Sequence, residues 1–157
     1  DSQGWPTGLE QVESSGVGFE IIAQNRGAPP NGSKLNADEH KDVLVLPVMM
    51  HNTSGKDVEF KGWDSAVAQN IVLKDDTDKS CKFLEMVNSK NAKSIPQGGY
   101  ARVELVFEPP AGSPKYLHLE LPDAAIGGKR MMKFCLSGKE IPAGQAKPDE
   151  KGDKPKS

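Results

Sequence analysis

A chain of 157 residues is one domain of ordinary size with tails. Its formal net charge of -2, with Lys and Arg interspersed among Asp and Glu, gives no electrostatic footprint for nucleic acid or an anionic membrane surface. Only 36% of residues are hydrophobic, but they concentrate between Val43 and Leu136, and the longest apolar run is far shorter than the roughly 20 residues that span a bilayer.

Residues 1–15 read as a flexible N-terminal arm, polar and broken by Gly4, Pro6 and Gly8, with Trp5 as the residue able to dock it. Asp1 stands where Met would, which suits a processed form or a piece of a longer product with a signal or anchor upstream. A domain is expected over 16–142. Its first strand is 17–23, where Val17, Phe19 and Ile21 alternate with Gly18, Glu20 and Ile22. Residues 26–40 read as a loop, marked by Gly27, Pro29, Pro30 and Asn31-Gly32, long enough to carry function or to be mobile. The strongest strand is 41–52, with Leu44, Leu46, Val48 and Met50 on one face and Val45, Pro47, Met49 and His51 on the other. Pro47 has no N–H to give a ladder, so the strand is expected to be an edge there or to bulge.

Residues 53–56 form a turn, and 57–63 a short strand with Val58 and Phe60 inward. Asp64 or Ser65 suits the cap of one helical turn reaching Gln69. Residues 69–74 and 80–86 read as two arms of a hairpin around Asp75-Asp76-Thr77-Asp78, and 88–93 as a polar loop.

Alternation is clearest over 94–121. Ala101, Val103, Leu105 and Phe107 oppose Tyr100, Arg102, Glu104 and Val106; Leu117, Leu119 and Leu121 oppose Tyr116, His118 and Glu120. Pro109, Pro110, Gly112 and Pro114 force a turn between the two strands, which either pair directly or cross between sheets. Residues 123–128 turn, and 129–136 form a last strand with Met132, Phe134 and Leu136 inward. Residues 143–157 read as a disordered tail or linker, too poor in apolar side chains to order themselves. With almost no helical period, this predicts an all-β, immunoglobulin-like antiparallel β-sandwich of about seven to eight strands.

The ordered series Leu44 to Asn52 with Ser54-Gly55, Phe60-Lys61-Gly62-Trp63, Leu73-Lys74-Asp75-Asp76, Ser94-Ile95-Pro96 with Gly98, Leu105-Val106-Phe107-Glu108-Pro109-Pro110, and Leu117 to Pro122 resembles a known family. It is similar to the telokin-like, immunoglobulin-type domains of unknown function found in bacterial secreted and membrane-anchored proteins. The resemblance covers about residues 17–141 and departs from the family pattern at Cys81 and Cys135. It implies a β-sandwich in an extracytoplasmic setting, and it implies no catalytic residue.

Few residue patterns carry chemistry. Met49, His51 and Met131 have the soft donors that suit Cu(I), at no specific ligand spacing, so a copper carrier stands as the alternative function. The tip Asp75-Asp76-Thr77-Asp78 fails as a calcium loop, because the sixth and twelfth positions counted from Asp76 are Cys81 and Val87. None of His40, His51 and His118 lies in a hydrolase or metalloprotease motif, so no enzyme activity, catalytic residue, metal site or cofactor is expected. Tyr116, His118 and Glu120 read as a solvated strand face, with a carbohydrate- or partner-binding strip as the alternative. Cys81 and Cys135 permit one disulfide, Cys81 facing inward and Cys135 outward; Asn31 and Asn52 begin glycosylation patterns. The expected function is an extracytoplasmic binding or structural module. Its expected partner is a protein or cell-envelope component, reached through the 41–52 strand and the loop before it.

Overall fold

The chain enters the fold as a hairpin. In the computed structural model, which describes residues 11–63, 70–88 and 93–137, β1 (Gln11–Ser14) pairs antiparallel with β2 (Val17–Ile21). Ser15 and Gly16 link them with φ of 53° and 80°, the positive pair that a two-residue hairpin needs. A Cβ on Gly16 would come within 2.5 Å of Ser54 Cβ, so this turn also requires glycine for close approach. The arm expected over residues 1–15 is thereby corrected: Gln11–Ser14 belong to the sheet, because the Ser-Gly turn folds them back onto β2.

The remaining strands are β3 (Asn25–Gly27), β4 (Val43–Asn52), β5 (Val58–Glu59), β6 (Val72–Asp75), β7 (Phe83–Asn88), β8 (Ser94–Ile95), β9 (Tyr100–Phe107), β10 (Tyr116–Pro122) and β11 (Met131–Ser137). The larger sheet runs β1-β2-β4-β9-β7, with β3 also on β4; the smaller runs β11-β10-β6; β5 and β8 form a short third pair. All pairings are antiparallel, and the protein is an all-β sandwich. Among the described residues no helix is long and apolar enough to cross a membrane.

The core fills the space between the two sheets as alternation predicts. Val17, Phe19, Leu46, Val48, Met50, Leu105 and Phe107 from the larger sheet meet Leu73, Leu117, Leu119, Leu121, Met132, Phe134 and Leu136 from the smaller. Trp63 is the largest fully buried side chain; it donates from Nε1 to Pro122 O at 2.9 Å and packs edge-on against Phe19 and Phe60. A buried indole needs such an acceptor, and Pro122 O is supplied where β10 ends. Asn52, fully buried at the end of β4, donates to Lys56 O and Ile95 O and accepts from Ser54, so it ties the third pair to the larger sheet. Its glycosylation pattern is therefore spent on structure.

Two expectations about strand pairing are corrected. β4 is an interior strand, flanked by β2 and β3 on one side and β9 on the other. Pro47 O accepts from Ile22 N at 3.1 Å, so the nitrogen of Pro47 faces the same side. There the neighbour is interrupted: Ile21 pairs Val48 and Asn25 pairs Val45, so three residues stand opposite two. The missing donor is accommodated by a bulge in the neighbouring strand. The hairpin of β6 and β7 exists only at its tip, as the bridge Lys74 to Ser80. Beyond it β6 pairs β10 and β7 pairs β9, so the arms part and cover the core from both sides. The 94–121 stretch likewise crosses between sheets, β9 in the larger and β10 in the smaller.

The sheets are locked at one corner by Asp123, which is 1% exposed. Its carboxylate accepts from Ser14 Oγ at 2.5 Å and from Arg130 N at 2.7 Å, joining β1 to the turn between β10 and β11. That turn is a short 3-10 segment, Asp123–Ile126. A Cβ on Gly128 would fall 2.3 Å from the Asp123 carboxyl carbon, so glycine is needed there.

The docking of Trp5, the helical turn expected near 64–69 and the tail over 143–157 lie outside the described residues.

Candidate binding site

Only one side of each sheet faces the core, so two outer faces remain. The outer face of the larger sheet carries Gln11, Glu13, Gly18, Glu20, Met49, His51, Tyr100, Arg102 and Glu104, the positions alternating with the buried ones. Strand register sets the rows. Tyr100 lies opposite His51, His51 opposite Gly18, and Gly18 opposite Glu13. The His51 and Tyr100 rings stack in parallel, with centroids 4.2 Å apart and planes 7° apart. Tyr100 stays 61% exposed. Beyond His51, a cleft of about 380 Å³ opens over Gly18, bounded by Gln11, Glu13, His51 and Thr53.

The loop expected to carry function packs over the other end of the same face. Leu35 covers Val43, Val45 and Val106 and rests near Leu84 and Val87, forming a second, smaller apolar cluster. Ser33 Oγ donates to Glu85, as does Lys34 N at 3.0 Å. Glu85 is available because the ladder of β7 slips between Phe83 and Glu85. Phe83 stays against Phe107, while Leu84 joins the outer cluster and Glu85 pairs with Val106. Between loop and sheet runs a groove of about 770 Å³, lined among others by Lys34, Glu85, Arg102 and Glu104. Arg102 pairs with Glu104 at 3.3 Å.

The outer face of the smaller sheet is different. His118, expected on a solvated strip, is half-buried and stacks on Tyr116 at 4.8 Å with planes 29° apart. Burial lowers its basicity, while Glu120 and Asp78 act in the opposite sense; burial wins, and the ring is held below the usual imidazole range.

The candidate donors do not meet. Met49 and His51 point outward from β4, and Met131 points outward from β11, on the far side of the core. The copper arrangement therefore does not assemble from this trio. Among the described residues no cluster of three or more His, Cys, Asp or Glu is placed to hold a metal ion. Cys81 and Cys135 are both buried and are not bridged to each other. Cys81 sits in the core cluster, and Cys135 is on the opposite face of β11 from Phe134 and Leu136. Burial, with Asp75 and Glu108 nearby, pushes the Cys81 thiol up to about 11. It is thus a packing thiol, not a nucleophile at neutral pH.

The acidic tip is self-satisfied. Asp75 Oδ1 accepts from Thr77 N, Thr77 Oγ1 and Lys79 N at 2.8, 2.7 and 3.0 Å. Burial alone would raise this carboxyl, but the bonds from Lys79 and Thr77 outweigh it and hold it below the usual range.

Sequence reasoning pointed to His51 and the loop before β4, but it missed Tyr100, Gly18 and Glu13 as their neighbours. The Ser15-Gly16 dipeptide was the available signal, since a turn there makes Glu13 a strand residue. The row itself depends on register across four strands, which no local pattern states.

No family model matches the chain, and no curated protein matches it. Several solved structures do. The chain is similar to an apaG protein from Pseudomonas aeruginosa PAO1, at 13% identity and a TM-score of 0.34, over 77% of this chain and 96% of that one. It is similar to the yjhA protein from Bacillus subtilis, at 12% identity and a TM-score of 0.49, over 82% and 95%. It is also similar, at 13% identity and a TM-score of 0.49, over 85% and 92%, to a protein from Clostridium difficile 630 described as an uncharacterized beta-sandwich protein.

Proposed function

We propose that this chain is an immunoglobulin-like, telokin-like binding module of the extracytoplasmic space that engages a protein partner through the outer face of its larger sheet. The observation that carries this reading is the His51–Tyr100 stack, a parallel aromatic pair whose tyrosine is left open to solvent. Two aromatic rings on a strand face gain little from water, and tyrosine is enriched where proteins meet. The pair lies between the Gly18 cleft and the loop-roofed groove, so contact area is available on both sides. The extracytoplasmic setting rests on the resemblance of the motifs between residues 44 and 122 to telokin-like domains.

A photo-crosslinking residue placed at position 100 tests the face, with the same residue at position 133 on the opposite outer face as the control. In the envelope fraction of the source organism, discrete adducts are expected from position 100 and not from position 133. Equal adducts from both, or adducts from 133 alone, would overturn the reading. Recovery of the protein only from the cytosolic fraction would overturn the extracytoplasmic assignment.

A further inference from the structure

Gly18 is the one position on the outer face whose residue type neither backbone nor packing explains. Its φ lies outside the left-handed region, and a Cβ built on it would meet nothing closer than Gln11 Nε2 at 3.7 Å and His51 O at 3.9 Å. Both are ordinary contact distances. Gly16, two residues earlier, shows the contrast, with a positive φ and a clash at 2.5 Å. A glycine inside a strand costs stability and often marks a place where something else approaches the backbone closely.

The missing side chain leaves a slot. Adjacent strands lie about 4.8 Å apart, so His51 and Glu13, one strand away on either side of Gly18, are rooted about 10 Å apart. His51 has one ring face against Tyr100, and its other face looks across Gly18. The far wall is the exposed Glu13 carboxylate; the Gln11 carboxamide reaches over Gly18, its Nε2 3.7 Å from where a Cβ would stand, as a neutral side chain that a guanidinium would displace, and Thr53 completes the lining. Glu20, also exposed, stands opposite Gln11. Neither Glu13 nor Glu20 has an ion-pair partner among the described residues. Arg130 reaches Glu13 only through the main-chain oxygen, at 3.2 Å, with its Nε 3.8 Å from Asp123.

We propose that the slot over Gly18 seats a planar guanidinium, an arginine side chain offered by the protein partner of this face. The proposal deepens the binding-face reading and rests on it. A guanidinium is thin enough to continue the Tyr100–His51 stack as a third layer. Its fork of N–H donors matches a carboxylate edge-on, and its charge balances the two unpaired acids. A lysine ammonium has no face to stack, and a neutral sugar ring would leave both carboxylates uncompensated.

The test is an amide-resolved NMR titration of the full chain with Nα-acetyl-arginine amide, against Nα-acetyl-lysine amide and a methyl glycoside. Arginine amide is expected to shift the Glu13, Gly18 and His51 resonances, with the lysine compound about tenfold weaker and the glycoside inert. Gly18→Val fills an open position on an extended strand and is expected to abolish the shifts while the unfolding midpoint holds. Glu13→Gln, at an exposed position, is expected to weaken binding about tenfold. Silence at these three resonances, equal response to lysine, response to the glycoside instead, or undiminished binding by Gly18→Val would each overturn the proposal. Failure here with face-selective crosslinking from position 100 intact removes the slot and leaves the binding face; failure of both removes both.

Discussion

The two outer faces of the sandwich each carry a histidine stacked on a tyrosine, and the two pairs do opposite things. His51 and Tyr100 face each other across β4 and β9, nearly parallel, with Tyr100 open to solvent. Tyr116 and His118 are two apart on β10, tilted, and half-buried. Residue types are the same; the surroundings are not. On the smaller sheet, Cys135 lies opposite His118 and is itself only 3% exposed, so the surroundings of His118 are packed. On the larger sheet, the neighbour of His51 is a glycine, so that face is open. An aromatic pair becomes a packing element or a presented surface according to what stands next to it, not by its own chemistry.

Four measurements sharpen or break this contrast. The largest effect is expected beneath both faces, at the tie between the sheets. Asp123→Ala removes the acceptor of Ser14 Oγ and Arg130 N and is expected to cost about 3 kcal/mol in urea unfolding, because the buried Ser14 hydroxyl and the part-buried Arg130 N–H both lose their partner. A loss of only a few tenths would mean that the corner does not hold the sheets. Next, His118→Ala is expected to cost about 1–2 kcal/mol, as truncation of a half-buried ring does. If His118→Ala proves neutral in unfolding, the two faces are not distinct.

Third, pH separates the packed side from water. His118 and Asp75 both have folded values held below their unfolded ones. For each, the unfolded chain takes up the proton first as pH falls, so stability is full above the unfolded value and declines below it. The His118 contribution is expected to fade below about pH 6.5, and that of Asp75 below about pH 4. Cys81 runs the other way. Its thiol is raised to about 11, so its contribution is full below the unfolded value and declines as pH rises from about 8.5 toward that figure. A His118 ring that titrates by NMR above pH 6.5, or a Cys81 that reacts with Ellman's reagent as fast as a free thiol at pH 8, would contradict the packed description. The smallest effect is expected from Tyr100→Ala, within about 0.5 kcal/mol in unfolding, since an exposed ring contributes little to the fold. A larger loss would make the His51–Tyr100 pair structural and take away the argument for presentation.

Local pattern read the layers well wherever a period of two was clean. Leu44, Leu46, Val48 and Met50, then Val103, Leu105 and Phe107, then Leu117, Leu119 and Leu121 all lie in the core as their alternation requires. It read less well where a single residue changed the partner of a strand. Ser15-Gly16 turned an expected arm into β1, and the slip after Phe83 put Leu84 and Glu85 over the outer side of β7. Trp63 escaped the expected core because no alternating neighbour surrounds it; its burial comes from Pro122 O, the nearby Phe60 ring and the distant ring of Phe19.

The sequence by itself determined the longer strands and their inward faces, because side chains alternate along a strand whatever lies beside it. Only the tertiary structure decided which strand lies next to which. Pro47 sits in an interior strand because its neighbour bulges, β6 and β7 part after one bridge, and His51 gains Tyr100 on one side and Gly18 on the other. Each of these is a non-local pairing, set by how two sheets close over one core. The candidate site depends on such pairings: the β1–β2 hairpin is local, but β2, β4 and β9 are far apart in the chain, and only their register brings Gly18, His51 and Tyr100 into one row.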